Sequence, residues 1–231
     1  MNEQIEALLD AALLHVPFDG WSDTALKAAA QDAGIDLALA RALLPRGGVD
    51  LALAYHRRGD ATMVAKLAAE DLSHLRFRDR IALAVRNRIE AAEDRELVRR
   101  GATLFALPVY AADGARAIWG TADLIWNTLG DTSSDYNWYT KRATLSGVYS
   151  ATVLFWLGDE SPASQATWNF LDRRVDGVMQ VERIKGAVEK NALARAVLAG
   201  PRAVLSCIKA PDRASKTEMP GYLHPETNRQ G

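Results

Sequence analysis

The sequence predicts an all-α protein in which a small trihelical unit precedes a larger helical bundle. Apolar side chains recur at three- and four-residue spacing along most of the chain, beginning with Ile5, Leu8 and Leu9, which is the period of a helix with one buried face. Residues that cap or end helices separate these runs, and no segment alternates apolar and polar residues as a half-buried strand does. With 48% hydrophobic and 25% charged residues, the chain has the composition of a globular domain.

Caps and stops place the first three helices. The helical period of the first helix stops at Pro17 and Gly20. Ser22 can cap the second helix, and Gly34 stands where a helix favours a residue in the left-handed conformation. Asp36 can cap a third helix that ends before Pro45.

The rest of the chain also has the helical period. Ser134 lies near the start of one helix, Ser161-Pro162 opens a long one, and Gly200-Pro201 interrupts the last. Other helical stretches lie at 48–58, 60–72, 77–100 and 113–129. We expect four parts: a degenerate helix-turn-helix-like unit at 1–47, a helical bundle at 48–182, a basic amphipathic helix at 183–210 and an irregular tail at 211–231.

No catalytic or metal-binding constellation is present in the sequence. The four histidines, His15, His56, His74 and His224, lie far apart, and no nucleotide-binding loop or nucleophile elbow occurs. The single cysteine, Cys207, stands among apolar residues, as an inert buried thiol does. We therefore expect no metal, no cofactor and no enzymatic activity, and we interpret the chain as a binding protein.

The sequence also bears on localisation. Acidic residues precede the apolar ones in the opening MNEQIEALLDAALLHV, unlike a signal peptide. No apolar run approaches the roughly 20 residues that span a bilayer. The formal net charge of −1 gives no long-range attraction to polyanions. We expect a bacterial, cytoplasmic protein that associates peripherally with the inner membrane.

The segment at residues 20–47 has the layout of a DNA-binding motif. Its sequence, GWSDTALKAAAQDAGID followed by LALARALLPRG, resembles the helix-turn-helix of TetR-type regulators, and this resemblance implies a TetR-like bundle. Recognition helices need polar and basic side chains, but this third helix is mostly Leu and Ala. Residues 1–60 carry five basic and nine acidic side chains, a net −4 that disfavours approach to phosphates. We expect no nucleic-acid partner.

Aromatic residues are concentrated between positions 119 and 168, which hold five of the six tryptophans. For Trp126, Trp156 and Trp168 the pattern leaves open whether they fill a core or line an apolar cavity. Trp138 differs, because in SSDYNWYTKR it and Tyr139 have polar neighbours. Exposed Trp, Tyr and Arg are typical of protein-binding hot spots, although a tryptophan that only packs the start of a helix has the same pattern.

A longer resemblance includes this block. Residues 130–186 read GDTSSDYNWYTKRATLSGVYSATVLFWLGDESPASQATWNFLDRRVDGVMQVERIKG. This segment resembles the signature of the lipid-binding accessory proteins of ubiquinone (coenzyme Q) biosynthesis, a family with a TetR-like fold. The resemblance implies a pocket for isoprenoid lipids, a membrane-associating C-terminal helix and a surface that docks the pathway's di-iron hydroxylase.

The matching block implies a partner-binding patch made of Asp135, Trp138, Tyr139 and Arg142. Helical periodicity places the expected lipid contacts in the second bundle, where apolar side chains could enclose a polyprenyl chain. These lipid-binding candidates are Leu124, Ile125, Val148, Thr152, Phe155, Trp156, Trp168, Leu171, Val175 and Met179.

The end of the chain is basic and amphipathic. Residues 183–216 hold eight basic and two acidic side chains between apolar ones, and each Lys or Arg near an anionic leaflet contributes roughly 1 kcal/mol to binding. A final helix that closes the bundle or a dimer seam would have the same pattern. The candidate membrane-associating residues are Lys190, Leu193, Arg195, Val197, Leu198, Arg202, Val204, Leu205, Ile208 and Lys209.

Together these features suggest a non-enzymatic accessory protein that binds an isoprenoid ubiquinone precursor at the membrane and presents it to the hydroxylase. A homodimer is expected by analogy with the TetR fold alone. The alternative is a TetR-type, ligand-responsive transcriptional regulator, which salt-dependent binding to a palindromic operator would establish.

Overall fold

A computed structural model describes residues 2–190 and 209–210, with the side chains of the last helix described as far as Gly177. This part of the chain is all-α and contains no strand, as the sequence predicts. Its helices are α1 (Glu3–Asp19), α2 (Asp23–Asp32), α3 (Leu37–Leu43), α4 (Gly48–Ala69), α5 (Phe77–Glu90), α6 (Arg95–Phe105), α7 (Ala111–Thr128), α8 (Tyr136–Leu157) and α9 (Gln165–Lys190), with a 3-10 turn (Pro162–Ser164) before α9.

The capping residues expected at the N-terminal helices take those positions. The Ser22 hydroxyl accepts a hydrogen bond from the Ala25 amide at 3.2 Å, and the Asp36 carboxylate accepts from the amides that begin α3. Gly34 follows α2 with φ of 64°, and the Ile35 amide then donates to the carbonyl of Ala30. This closing bond requires the left-handed conformation that glycine adopts without strain.

Two of the expected helix boundaries are wrong. The stretches 48–58 and 60–72 form one helix, α4, which continues through Gly59. A Cβ at Gly59 would lie 2.6 Å from a guanidinium nitrogen of Arg88, so glycine here makes room for a neighbouring side chain and does not end the helix. The stretch 77–100 is two helices, because Asp94 caps α6 through the amide of Glu96 at 2.8 Å.

The buried apolar residues form two cores that share α4. The first core is built from α1, α2, α3, the beginning of α4, and Leu97 of α6. The second is built from the end of α4 together with α5, α7, α8 and α9. The boundary drawn at residue 47 coincides with the start of α4, but the first core extends beyond it to Leu51 and Ala54. The boundary drawn at 182 falls inside α9.

Arg142 fixes the corner between α7 and α8. Its side chain is fully buried, and its Nε and Nη1 atoms donate to the carboxylates of Asp123 at 2.5 Å and Asp131 at 3.0 Å. Although burial opposes ionisation, hydrogen bonds from Lys141, Ser133 and Arg142 lower the pKa of Asp131 to about 2. The corner is therefore held by charges that compensate one another.

No helix within the described residues combines the length and the apolar character needed to cross a bilayer.

We expect Arg142→Met to lower the free energy of unfolding by about 3 kcal/mol, because it removes the buried guanidinium that pairs with Asp123 and Asp131 and leaves Lys141 as the remaining cation at Asp131. The matched control is Arg76→Met, which removes an exposed arginine paired with Asp79 and should change stability by less than about 1 kcal/mol. Urea unfolding of both variants measures the difference. Equal losses in the two variants would contradict this role of Arg142.

Candidate functional site

A cavity of about 420 Å³ lies where the two cores meet. Its volume is within the range of roughly 300–1,000 Å³ that is usual for small-molecule sites. Four helices, α4, α6, α7 and α8, supply most of the wall, and α5 contributes Arg88. The lining residues are Trp21, Ala52, Tyr55, His56, Arg88, Leu97, Val98, Gly101, Ala102, Phe105, Ala106, Ala111, Gly114, Ala115, Ala117, Ile118, Tyr149, Ser150, Val153 and Leu154.

The exposure of the lining residues distinguishes an inner end from a mouth. Arg88, Leu97 and Tyr149 are buried, whereas Leu154 is 64% exposed. Ala115 on α7 is exposed and lies on the same wall. The cavity therefore opens to the surface beside α7 and α8 and ends inside the protein near α4 and α5.

A buried polar network forms the inner end. The Arg88 Nε atom donates to the Asp60 carboxylate at 2.6 Å, and its Nη2 atom donates to the carbonyl oxygen of His56 at 3.0 Å. The Thr121 hydroxyl donates to the same Asp60 oxygen at 2.8 Å. These bonds join α4, α5 and α7. The positive charge of Arg88 balances the negative charge of Asp60.

The network also determines the protonation of His56. Since the Thr121 hydroxyl donates its hydrogen bond to Asp60, it can only accept one from His56 Nε2, which lies 2.8 Å away. Burial and the neighbouring Arg88 charge lower the pKa of His56 to about 4. At neutral pH the ring is therefore uncharged, with its proton on Nε2 and an acceptor lone pair on Nδ1.

The lipid-binding candidates from the sequence lie elsewhere. Ile125, Val148, Thr152, Trp156, Trp168, Leu171 and Val175 are buried and pack in or beside the second core, with Leu124 partly buried against it. Phe155 is 37% exposed and stacks on Phe170. The side chain of Met179 lies outside the described part. None of the nine described candidates lines the cavity, so their role as ligand contacts stays a prediction.

The partner-patch candidates lie at the start of α8 and form an aromatic cluster with Trp119 of α7. The ring of Trp138 lies 4.8 Å from that of Tyr139 and 6.0 Å from that of Trp119, centroid to centroid. Tyr139 is 37% exposed. We call Trp119, Trp138 and Tyr139 the aromatic cluster.

Arg142 and Asp135 support this cluster from within. The guanidinium of Arg142 lies 4.0 Å from the Trp138 ring centre, which is a cation–π distance. Because Arg142 has no exposed surface, it orients Trp138 and does not itself lie on the surface expected from the sequence. The Asp135 carboxylate caps α8 by accepting from the amide of Asn137 at 3.0 Å.

Of the membrane-associating candidates, Lys209 lies next to the aromatic cluster. Its carbonyl oxygen accepts a hydrogen bond from the Tyr139 hydroxyl at 3.3 Å, and the following amide, of Ala210, donates to the Ser134 carbonyl at 2.9 Å. The side chain of Lys190 and residues 193–208 lie outside the described residues, so the membrane-associating role of all ten stays a prediction.

The surface of α3 is apolar where a DNA-reading helix would be polar. Ala38, Leu39, Arg41 and Ala42 are the exposed residues of this helix, and they include a single cation. Arg46, which follows α3, is ion-paired with Asp50 and Asp113. Among the described residues, no group of three or more His, Cys, Asp or Glu side chains is arranged to hold a metal ion.

The sequence reasoning missed the polar inner end of the cavity and the part played by Trp119. One signal was present, because His56 and Asp60 stand four residues apart and share a face of one helix. Arg88 could not be added to that pair from the sequence, since it lies on another helix. The packing of α6 against α7 and α8, which encloses the cavity, has no local signature in the chain.

Comparison with known proteins gives consistent matches. The family model described as COQ9 matches residues 111–182. The ubiquinone biosynthesis protein COQ9, mitochondrial, of Rattus norvegicus is 31% identical over 192 residues, which cover 78% of this chain and 60% of that protein. Its counterpart in Drosophila melanogaster is 30% identical and covers 79% and 57%. The ubiquinone biosynthesis protein COQ9-A, mitochondrial, of Xenopus laevis is 30% identical over 213 residues, which cover 85% and 67%.

The fold is similar to that of a solved regulator. The crystal structure of the TetR transcriptional regulator from Nitrosomonas europaea ATCC 19718 matches with a TM-score of 0.63 and 21% identity, covering 76% of this chain and 97% of that chain. At this identity the match shows the TetR-like fold alone, as the sequence predicts.

The chain spans about 60% of the length of the rat relative. These three relatives are named as mitochondrial proteins, so they give no support to the expectation that the chain is bacterial. The match to the Xenopus laevis protein covers two thirds of that relative, and the COQ9 family model matches the segment that contains the aromatic block at the start of α8. The chain therefore belongs to the COQ9 family.

Proposed function

We propose that this protein acts in ubiquinone biosynthesis as a non-enzymatic lipid-binding accessory protein, and that the cavity between the two cores holds the apolar part of an isoprenoid ubiquinone precursor. The observation that carries the proposal is the cavity itself, whose wall is mostly apolar and aromatic. Such a wall keeps a hydrocarbon tail out of water after it leaves the membrane. The names of the relatives support the pathway.

Holding the tail addresses a physical obstacle. Each CH₂ group of an isoprenoid moved from a membrane into water costs about 0.8 kcal/mol, so a water-soluble enzyme gains little access to such a substrate by diffusion. A protein that shields the tail near the membrane reduces this cost and needs no chemistry of its own.

The aromatic cluster is the proposed docking surface for the pathway's di-iron hydroxylase. Trp138 and Tyr139 are rigid, partly exposed aromatic side chains, and such residues contribute most of the binding energy at many protein interfaces. Arg142 holds Trp138 from below, so the cluster is already ordered before a partner arrives. Pre-ordering reduces the entropy lost on association.

Residues 183–216 are the proposed membrane contact, on account of their net charge of +6 and their interleaved apolar residues. The proposed location is the surface of the inner membrane, with attachment from one side. Homodimerisation stays a prediction that rests on the fold. The regulator alternative is disfavoured, because the exposed face of α3 offers one arginine and three apolar residues to a DNA groove.

The carrier role requires that lipid accompany the purified protein. We expect organic extraction of the full chain to release an isoprenoid lipid that mass spectrometry identifies. Ala115→Trp should reduce the amount severalfold, because Ala115 lines the mouth of the cavity. Ala112→Trp is the matched control on α7, since Ala112 is exposed and is not among the lining residues. Equal lipid in all three proteins would place the lipid outside this cavity.

Docking at the aromatic cluster predicts a local effect. Trp138→Lys should weaken binding to the hydroxylase by about 30-fold or more, the loss typical of a central hot-spot aromatic residue. Surface plasmon resonance measures the affinity, and circular dichroism checks the fold. Phe18→Lys is the control, because Phe18 is an exposed aromatic residue at 83% exposure on α1. Unchanged affinity in Trp138→Lys would show that the partner binds elsewhere.

Charge reversal tests the membrane contact. A full-chain triple variant should no longer float with vesicles of phosphatidylcholine and anionic phosphatidylglycerol, since three attractive charges become repulsive. Its substitutions are Lys190→Glu, Arg195→Glu and Arg202→Glu. A control with Arg41→Glu, Arg76→Glu and Arg116→Glu changes the net charge equally at exposed sites. If both triple variants float like the unmodified chain, the C-terminal contact is wrong, and if both stop floating, the attraction depends on net charge alone.

A further inference from the structure

We propose that the inner end of the cavity binds the head group of the lipid, a planar and uncharged ring that carries oxygen atoms, through Arg88, Tyr149 and His56. The proposal rests on the proposed function, because it takes the cavity to be the lipid site. It adds the chemistry by which one lipid is distinguished from another.

Two unused donors and one unused acceptor are present at this end. The Nη1 atom of Arg88 and the hydroxyl of Tyr149 form no hydrogen bond within the described residues, although both side chains are more than nine-tenths buried. The two groups are neighbours, with the Arg88 guanidinium carbon 5.8 Å from the centre of the Tyr149 ring. His56 adds the lone pair of Nδ1. All three residues line the cavity. Buried polar groups are normally satisfied, so unpaired donors and an unpaired acceptor on residues of the wall indicate a ligand with oxygen atoms.

The charge balance favours an uncharged head group. Arg88 is already paired with Asp60, and His56 is neutral at physiological pH. Burial raises the pKa of the Tyr149 hydroxyl, so this group remains a protonated donor. The charges of Arg88 and Asp60 cancel, so the network has no net positive charge to balance an anion. A phosphate or carboxylate would therefore add an uncompensated buried charge, whereas ring carbonyl or hydroxyl oxygens would only accept and donate hydrogen bonds.

The wall next to these groups suits a flat ring. Trp21 and Tyr55, whose rings contact each other at 5.3 Å between centres, line the cavity, and Phe105 lies on the same wall. A planar ring that packs against one of these aromatic side chains gains energy beyond that of simple burial. A glycerol-based head group has no flat face to place there.

The exposure of the wall sets the direction of entry. The polar groups are at the buried end, whereas Leu154 and Ala115 at the mouth are exposed and apolar. The ring therefore enters first and reaches Arg88 and Tyr149, and the first part of the tail lies on the apolar wall beside α7 and α8. The far end of a long polyprenyl tail leaves through the mouth toward the membrane.

The test uses the full chain and three probes with the same decyl tail: decylubiquinone, decylbenzene and decyl phosphate. Isothermal titration calorimetry measures binding to the unmodified chain, to Tyr149→Phe and to Tyr136→Phe. Tyr149→Phe removes one hydroxyl that has no partner in the described part of the protein, so the fold should not change. Tyr136→Phe is the matched control, because Tyr136 is a partly buried tyrosine of the same helix that does not line the cavity.

We expect Tyr149→Phe to lower the affinity for decylubiquinone by about ten-fold, which corresponds to the loss of one buried hydrogen bond. The affinity for decylbenzene should not change. Tyr136→Phe should bind all probes like the unmodified chain, and decyl phosphate should bind more weakly than decylubiquinone. An equal loss for decylubiquinone and decylbenzene, no loss for either, or tighter binding of decyl phosphate would overturn the head-group site while leaving a lipid cavity. If the unmodified chain binds neither decylubiquinone nor decylbenzene, the proposed function itself fails.

Discussion

The ion pair between Arg88 and Asp60 is the interaction on which the middle of this molecule depends. It joins α4 to α5 at 2.6 Å in a site where each charge is largely removed from water, and an unpaired charge there would be strongly destabilising. Gly59 makes the approach possible, because any side chain at that position would collide with the guanidinium. The Thr121 hydroxyl of α7 donates a hydrogen bond to the same carboxylate. Three helices are thus held in register at the junction of the two cores.

This polar junction explains how a cavity can exist without collapse. Apolar cores normally pack to the density of organic crystals. Here the hydrogen bonds of the inner wall fix the distance between α4 and α7, and these bonds would be lost if the two helices shifted to fill the cavity. The other walls then remain apart, and their apolar side chains surround space suited to a hydrocarbon. The TetR-like arrangement supplies the frame, while the chemistry of the wall supplies the proposed selectivity. The exposed face of α3, with one arginine among apolar residues, favours the proposal that this protein has the frame without the DNA-binding role.

Local sequence patterns predict which faces of the helices are buried, but they do not predict which buried residues line a cavity. Periodicity and caps such as Ser22 and Asp36 identify buried helix faces, because these depend on neighbours within a few residues. They also selected Ile125, Trp156 and Leu171 as lipid contacts, but a buried face packs against a core or lines a cavity with the same period. Arg142 looked like a surface residue for a related reason, since its partners Asp123 and Asp131 lie on the preceding helix and loop. Contacts between distant segments decide whether a buried face lines a cavity and whether Arg142 is exposed.

The measurement that tests the central claim most directly is photo-crosslinking of the full chain with a farnesylated benzoquinone that carries a diazirine on its first isoprene unit. Mass spectrometry of the digested protein then locates the label. We expect labelled peptides from α6, α7 and α8 within residues 97–118 and 149–154, which line the cavity, and competition by unlabelled decylubiquinone. Label confined to residues 168–179, or spread over the surface without competition, would contradict a lipid site between the two cores.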